Sequence, residues 1–208
     1  MFFFSNLLIP FLFAQSPSVT ADSFGPVQVN SSFPTFRGWS LDGTSIGLSS
    51  FQKGSQDDPP DIVIVSYFAT WCAPCRKGIP IIEKVSTEND ITAIYISIDA
   101  PSDEVKLQKF RKEIQIDARN PIIWDKFKKI AERHGVIQTT EVSTKETNSE
   151  NTKENSLSIP KTFVIRPDGS VDTIFIEEGI DFEEQLRESI SKIKEKDVKE
   201  KDAKNEGE

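Results

Sequence analysis

Cysteine and histidine are scarce in these 208 residues: two cysteines, Cys72 and Cys75, and one histidine, His134. A closed structural zinc site takes four nitrogen or sulfur ligands, so this set falls short unless carboxylates complete it. No cysteine is left for a separate disulfide framework, and the count alone does not choose between a reducing and an oxidising compartment. Lysine and arginine are absent before Arg37. The apolar opening, Met1 to Ala14, is shorter than the roughly 20 residues that a membrane-spanning helix needs. Its length is that of a signal-peptide core, with Ala14-Gln15-Ser16 as the cleavage neighbourhood. Residues 1–14 are therefore expected to be a signal peptide. Its missing basic start is supplied by the terminal amine or by an upstream initiation site; the alternative is an uncleaved apolar arm. No cysteine follows the run to carry a lipid, so no stable membrane anchor is expected after cleavage. Basic charge is also in deficit overall, 25 Lys and Arg against 33 Asp and Glu for a net −8, which argues against nucleic acid and anionic membrane surfaces as partners.

Both cysteines fall in one stretch, Ser66-Tyr67-Phe68-Ala69-Thr70-Trp71-Cys72-Ala73-Pro74-Cys75-Arg76-Lys77. The apolar run Ile62-Val63-Ile64-Val65 before it reads as a buried strand, and Ile79, Ile82 and Val85 after it recur at helical spacing. Cys72 thus sits where a strand feeds a helix. First-turn N–H groups have no intrahelical partners, and the positive end of the helix dipole favours a thiolate. A cysteine so placed falls from a pKa of roughly 8.5 to somewhere between about 3.5 and 7.5. The two-residue spacing lets Cys75 resolve a mixed disulfide formed at Cys72. Pro74 lacks an N–H and fixes its φ, which suits a first helical turn. Two plainer readings stand beside this one: half of a zinc site, or a structural bridge, although so small a loop removes little entropy from the unfolded chain.

Trp-Cys-Ala-Pro-Cys after a hydrophobic strand resembles the active site of the thioredoxin superfamily. The longer string Tyr67 to Lys77 is most similar to its TlpA/ResA-like branch of exported thiol-disulfide proteins. The resemblance covers roughly residues 27 to 194. It implies an α/β thioredoxin fold, a three-layer α/β/α sandwich on a mixed sheet with an N-terminal β-hairpin extension. It also implies that Pro160 is a cis-proline facing the cysteines, that Ile159 touches substrate, and that Trp71 belongs to the docking surface. Proline there gives up an N–H and places no metal ligand beside the sulfurs, leaving flanking backbone free to pair with a substrate peptide. Two positions depart from the family pattern. Ser66 stands where thioredoxins carry a buried acid, and Gly78 where TlpA/ResA-like proteins often carry a glutamate. Proton transfer from Cys75 is then left to water or to Glu83, which is otherwise a solvated helix-face charge.

Along the chain, residues 15–26 read as a linker. Phe33 to Thr44 contains an Asp-Gly turn between short alternating segments, a hairpin ahead of the main sheet. The helix after Cys75 runs through Pro80, which should kink it. Ile91 to Asp99 reads as a strand, and Pro121 to Asp125 as a short strand or extended stretch. Ser102 is expected to cap the helix between them, and Lys126 to His134 to form a helix that Gly135 stops. His134, in that last turn, is expected to meet free carbonyls rather than to act as a base. Residues 138–156 hold hardly an apolar residue and are expected to be a disordered insertion. Ser158 to Arg166 and Ser170 to Ile176 read as two strands about a Pro-Asp-Gly turn, followed by a helix with Phe182, Leu186, Ile190 and Ile193 on one face. Residues 195–208 are expected to be a charged disordered tail or a frayed helix end.

The chain is thus expected to be an exported thiol-disulfide oxidoreductase of the periplasm or cell envelope. Cys72 attacks and Cys75 resolves, without a bound cofactor; its partners are protein thiols and disulfides and a dithiol that supplies or accepts electrons. The alternatives are a peroxiredoxin-like thiol peroxidase and a non-enzymatic redox-sensing module. Alkylation of the reduced protein as a function of pH should label Cys72 before Cys75; preferential labelling of Cys75 at neutral pH reverses the assignment.

Overall fold

The computed structural model describes residues 26–52, 61–142 and 152–205. The expected signal peptide, 1–14, lies outside them, as does all of the 15–26 linker but Pro26. In chain order the elements are a hairpin of β1 (Arg37–Trp39) and β2 (Ser45–Gly47), a single turn α1 (Ser49–Gln52), β3 (Val63–Phe68), α2 (Ala73–Asn89), β4 (Thr92–Ser97), α3 (Glu104–Ile114), β5 (Ile122–Trp124), α4 (Lys129–Arg133), a second hairpin of β6 (Ile137–Val142) and β7 (Thr152–Leu157), then β8 (Lys161–Ile165), β9 (Val171–Phe175) and α5 (Phe182–Asn205). A 3₁₀ turn, Pro101–Asp103, leads into α3, so Ser102 lies in that turn and is not a helix cap. The helix α2 runs unbroken past Pro80.

The central sheet has the order β5-β4-β3-β8-β9, with β3, β4 and β5 parallel and β8 and β9 antiparallel to their neighbours. All six residues of β3 are buried, as expected of a strand covered on both faces. The helices flank this sheet in the α/β arrangement of the thioredoxin fold. α2 turns Cys75, Gly78, Ile79, Ile82, Val85 and Ser86 inward. α5 does the same with Phe182, Leu186, Ile190 and Ile193. The first hairpin docks on the β5 edge through an isolated bridge from Ser40 to Ile123.

One further expectation is corrected in part. Of residues 138–156, expected to be disordered, 138–142 and 152–156 belong to β6 and β7, which pair antiparallel from Ile137↔Leu157 to Val142↔Thr152, while 143–151 lie outside the described residues. An argument from apolar burial overlooks this, because a hairpin satisfies its backbone polar groups whatever its side chains bury, and threonine suits a strand. Its root is tied to the domain by the Ser158 N–H donating to the Val136 carbonyl, 2.9 Å. Of residues 195–208, read as a disordered tail or a frayed helix, 195–205 take the second form as the continuation of α5, and 206–208 lie outside the described residues. Lysine and glutamate are good helix formers, and propagation from a packed first half adds one hydrogen bond per residue fixed.

His134 differs too. It is wholly buried, its ring against Phe33, Phe36 and Tyr67, with Nδ1 hydrogen-bonded to the Tyr67 hydroxyl. Burial pushes its pKa down to about 3, against the opposing influence of the Pro34 carbonyl, so the imidazole is a neutral core group. The unfolded chain therefore binds this proton first, near pH 6.5. The stability that His134 contributes is complete above that pH and is lost as pH falls towards 3. The slope is at most about 1.4 kcal/mol per pH unit. His134→Phe should flatten the acid limb of stability between pH 6 and 4 in urea unfolding, while costing stability at pH 7 by stranding the Tyr67 hydroxyl. An unchanged slope would show that the histidine is already protonated in the fold.

Candidate active site

The site lies at one edge of the sheet because of how β3 is paired. β3 and β4 run parallel with Phe68 beside Ser97, so both deliver their C-terminal ends to that edge. β8 runs against β3 with Tyr67 beside Lys161, so Pro160, one residue earlier, stands next to the turn that leaves β3. β9 runs against β8 with Phe175 beside Thr162, so its outgoing loop, Ile176 to Gly179, arrives there as well.

The turn after β3 puts Cys72 at the N-cap of α2, with extended backbone (φ −78°, ψ 103°) and Pro74 in the first turn. Its sulfur accepts the Cys75 N–H at 3.3 Å, and the two cysteines are joined in a disulfide. The reduced Cys72 sulfur at this cap meets unpaired amides and the positive helix end, both of which favour the thiolate. Cys72 is 4% and Cys75 1% exposed in the oxidised pair, so the access expected of Cys72 is narrow. Trp71 beside it is 61% exposed.

The Ile159–Pro160 peptide is cis, as the resemblance implied. Pro160 is buried and Ile159 half-buried. With Pro74, Ile176, Glu177 and Glu178 they line an open groove of about 540 Å³ that runs up to the cysteine-bearing turn. Exposed Leu157 at the foot of the second hairpin and exposed Ile176 add apolar surface at its margin. Among the described residues, no three His, Cys, Asp or Glu side chains converge to hold a metal ion.

Two carboxylates matter here that the linear sequence did not single out. Asp99, wholly buried, accepts from the Thr70 N–H (3.0 and 3.1 Å), the Thr70 hydroxyl (2.7 Å) and the Ser97 hydroxyl (2.7 Å). It fastens the turn two residues before Cys72. Arg76 fastens it from the other side, its Nε donating to the Thr70 carbonyl at 3.2 Å and its guanidinium lying 4.9 Å over the Phe110 ring. Glu178 is the second. Its Oε1 accepts from Thr162 Oγ1 at 3.1 Å, which is itself 2.9 Å from Ser66 Oγ. Its Oε2 is buried and, among the described residues, finds no donor. That oxygen stands 1.6 Å from where a Cβ on Gly78 would be, so the carboxylate occupies the space that any side chain at position 78 would fill. A chain position 100 residues downstream of Gly78 offers no spacing signal for this; a buried acid after a strand is visible only in three dimensions.

Glu83, expected as a route for Cys75's proton, has other partners. Its oxygens accept from the Tyr95 hydroxyl (2.7 Å), the Asn120 amide (2.9 Å) and the Asp117 N–H (2.8 Å). These contacts tie α2 to β4 and to the segment before β5, so Glu83 serves as a brace between them.

The AhpC/TSA family pattern matches residues 29–174. The thiol-disulfide oxidoreductase ResA of Bacillus thuringiensis subsp. konkukian is 27% identical over 171 residues, covering 80% of this chain and 79% of that protein. Solved structures with a similar fold include a thiol:disulfide interchange protein of the thioredoxin family from Chlorobium tepidum TLS, with a TM-score of 0.56, 21% identity and coverage of 80% of this chain and 97% of that one. Peroxidoxin BcpB from Mycobacterium tuberculosis has a TM-score of 0.59 and 18% identity over 80% of this chain and 98% of its own.

Asp99→Asn replaces one acceptor oxygen by an amide that confronts the Thr70 N–H. Hydrogen bonds to a charged group contribute about 1.5–3 kcal/mol each. The variant should therefore unfold at lower urea and exchange the Thr70 amide faster than wild type. Wild-type behaviour in both would remove Asp99 as the anchor of the turn.

Proposed function

Because the chain belongs to the AhpC/TSA family of the thioredoxin superfamily, we propose that its cysteine pair exchanges electrons with protein disulfides and dithiols. The observation that carries this is the bridge between Cys72 and Cys75 at a helix N-terminus, with the Cys75 N–H on the Cys72 sulfur. In the reducing direction, the Cys72 thiolate attacks one sulfur of a substrate disulfide and the other sulfur leaves as a thiolate. Cys75 then attacks Cys72, closing the pair and releasing the second substrate sulfur. Two electrons pass to the substrate, and a partner dithiol returns them to the enzyme. The same steps in reverse oxidise a dithiol. Trp71, Ile159 and Pro160 shape the surface on which the peptide docks. The groove beside Pro160 supports that role, since an extended segment can lie along the backbone before β8 as an added strand. Thiol-disulfide exchange of this kind needs no bound cofactor.

Export to an envelope compartment fits the apolar leader Met1 to Ala14. Among the described residues no helix is long and apolar enough to cross a membrane.

The peroxidase reading draws on the family and on the fold shared with peroxidoxin BcpB. Against it, the resolving cysteine stands three residues from the first on the same helix turn, an arrangement that serves disulfide exchange with a peptide. Insulin reduction with dithiothreitol as the electron source decides between them. The wild type should accelerate it, and Cys72→Ser should abolish the effect. Cys75→Ser should accumulate a mixed disulfide with insulin. Consumption of hydrogen peroxide that outpaces insulin reduction would favour the peroxidase, and absence of turnover with either would favour a sensing module.

A further inference from the structure

Glu178 is half-buried, but its Oε2 is buried, finds no donor among the described residues and sits against α2 where a side chain at position 78 would stand. Buried acids without a cation partner are costly, so a fold rarely leaves one idle. Gly78 lies three residues after Cys75, on the same inward face of α2. A side chain on a helix leans towards the N-terminal turn, so a group standing in the place of a position-78 side chain faces the Cys75 turn. Glu178 also lines the groove beside Pro74 and Pro160.

We propose that Glu178 is the proton acceptor for Cys75 when the pair resolves a mixed disulfide, delivered from the loop after β9 into the space left by Gly78. The proposal rests on the thiol-disulfide reading above. Cys75 needs such a base more than Cys72 does. Cys72 has the helix terminus to stabilise its thiolate, whereas Cys75 is 1% exposed and burial raises a thiol's pKa. In the step itself the Cys75 thiol gives its proton to the free Oε2, directly or through one water. The thiolate attacks Cys72 Sγ, the Cys72–Cys75 bond forms and the bond from Cys72 to the substrate sulfur breaks. The electron pair leaves on that sulfur, which takes up a proton from the Glu178 carboxyl or from solvent. The acid is restored to its charged form, and the cysteine pair is oxidised as the substrate is reduced.

The surroundings suit the task. Burial holds the Glu178 carboxyl up to about 7, outweighing the Thr162 hydroxyl that favours the charged form. The titratable groups on the elements packed near it, among the described residues, are these. Tyr95 on β4 stays protonated, burial being the main cause and the charges of Glu83 and Glu178 adding to it. Glu83 on α2 is turned to that same hydroxyl. Glu177 adjoins Glu178 in the loop, while β8 presents a neutral threonine and β3 a neutral serine. A base that ionises near neutral pH is matched to a thiol that must be deprotonated there.

Reaction of the reduced full chain with 5,5′-dithiobis(2-nitrobenzoate) by stopped flow reads the two steps separately. The first thionitrobenzoate released reports attack by Cys72, and the second reports resolution by Cys75. Glu178→Gln should leave the first phase unchanged and slow the second at least tenfold at pH 8, within the ~100-fold or more that general bases supply. In wild type the second phase should rise with pH through about 7 as the carboxyl ionises. The variant should lose that rise and follow the thiol alone. Gly78→Ala, whose methyl takes the carboxylate's place, should give the same loss through an independent change. A second phase of wild-type rate, or a slowed one that keeps its rise through pH 7, overturns the role of Glu178. Release of a single thionitrobenzoate by the wild type would instead overturn the dithiol reading on which it rests.

Discussion

β3 carries a parallel neighbour on one side and an antiparallel one on the other, and the site is assembled by that asymmetry. The parallel pairing with β4 brings Asp99 beside Thr70, where its carboxylate holds the turn before Cys72. The antiparallel pairing with β8 brings the cis Ile159–Pro160 peptide to the same edge. From there β9 returns Glu178 to the edge. A slip of one residue in the β3–β8 register would turn Thr162 away from Ser66 and send inward side chains to the other face. The fully buried, mostly apolar β3 resists such a slip because every one of its side chains is packed.

Low dielectric surroundings organise the rest. His134 is kept neutral among Phe33, Phe36 and Tyr67, so the chain's one histidine belongs to the core that seats the first hairpin and not to the chemistry. Glu178 is pushed up to about 7 by the same effect. The two groups differ in placement: the histidine lies within the aromatic core, while the acid borders the groove. Desolvation is the largest influence in both cases, and it produces a structural group in one and a titrating group in the other.

Much of the site was legible in the chain itself. Cys72 and Cys75 announce themselves by spacing and by the strand and helix on either side. Ile159-Pro160 before an apolar strand was legible as a cis-proline through its resemblance to a known family, and the fold brings it to the edge that carries the cysteines. Glu83 was legible as a carboxylate on the right helix, yet its partners Tyr95, Asn120 and Asp117 come from distant segments, so its bracing role was not. The absent acids at Ser66 and Gly78 were legible as gaps. What fills the gap was not, since Glu178 is brought there by two strand reversals.

The sequence by itself determined the strand–turn–helix unit around the cysteines, the alternation of strands and helices, and the two tight turns at Asp42-Gly43 and Asp168-Gly169. These are local: periodicity, glycine at positive φ (81° and 85°) and helix-terminus chemistry act over a few residues. Tertiary structure alone decided which carboxylate meets which group, the burial of His134, and the pairing of β6 with β7 where composition pointed to disorder. Those outcomes depend on contacts between residues tens of positions apart and on the loss of water around them. Neither the identity of a residue nor its neighbours in the chain records how dry its final surroundings will be.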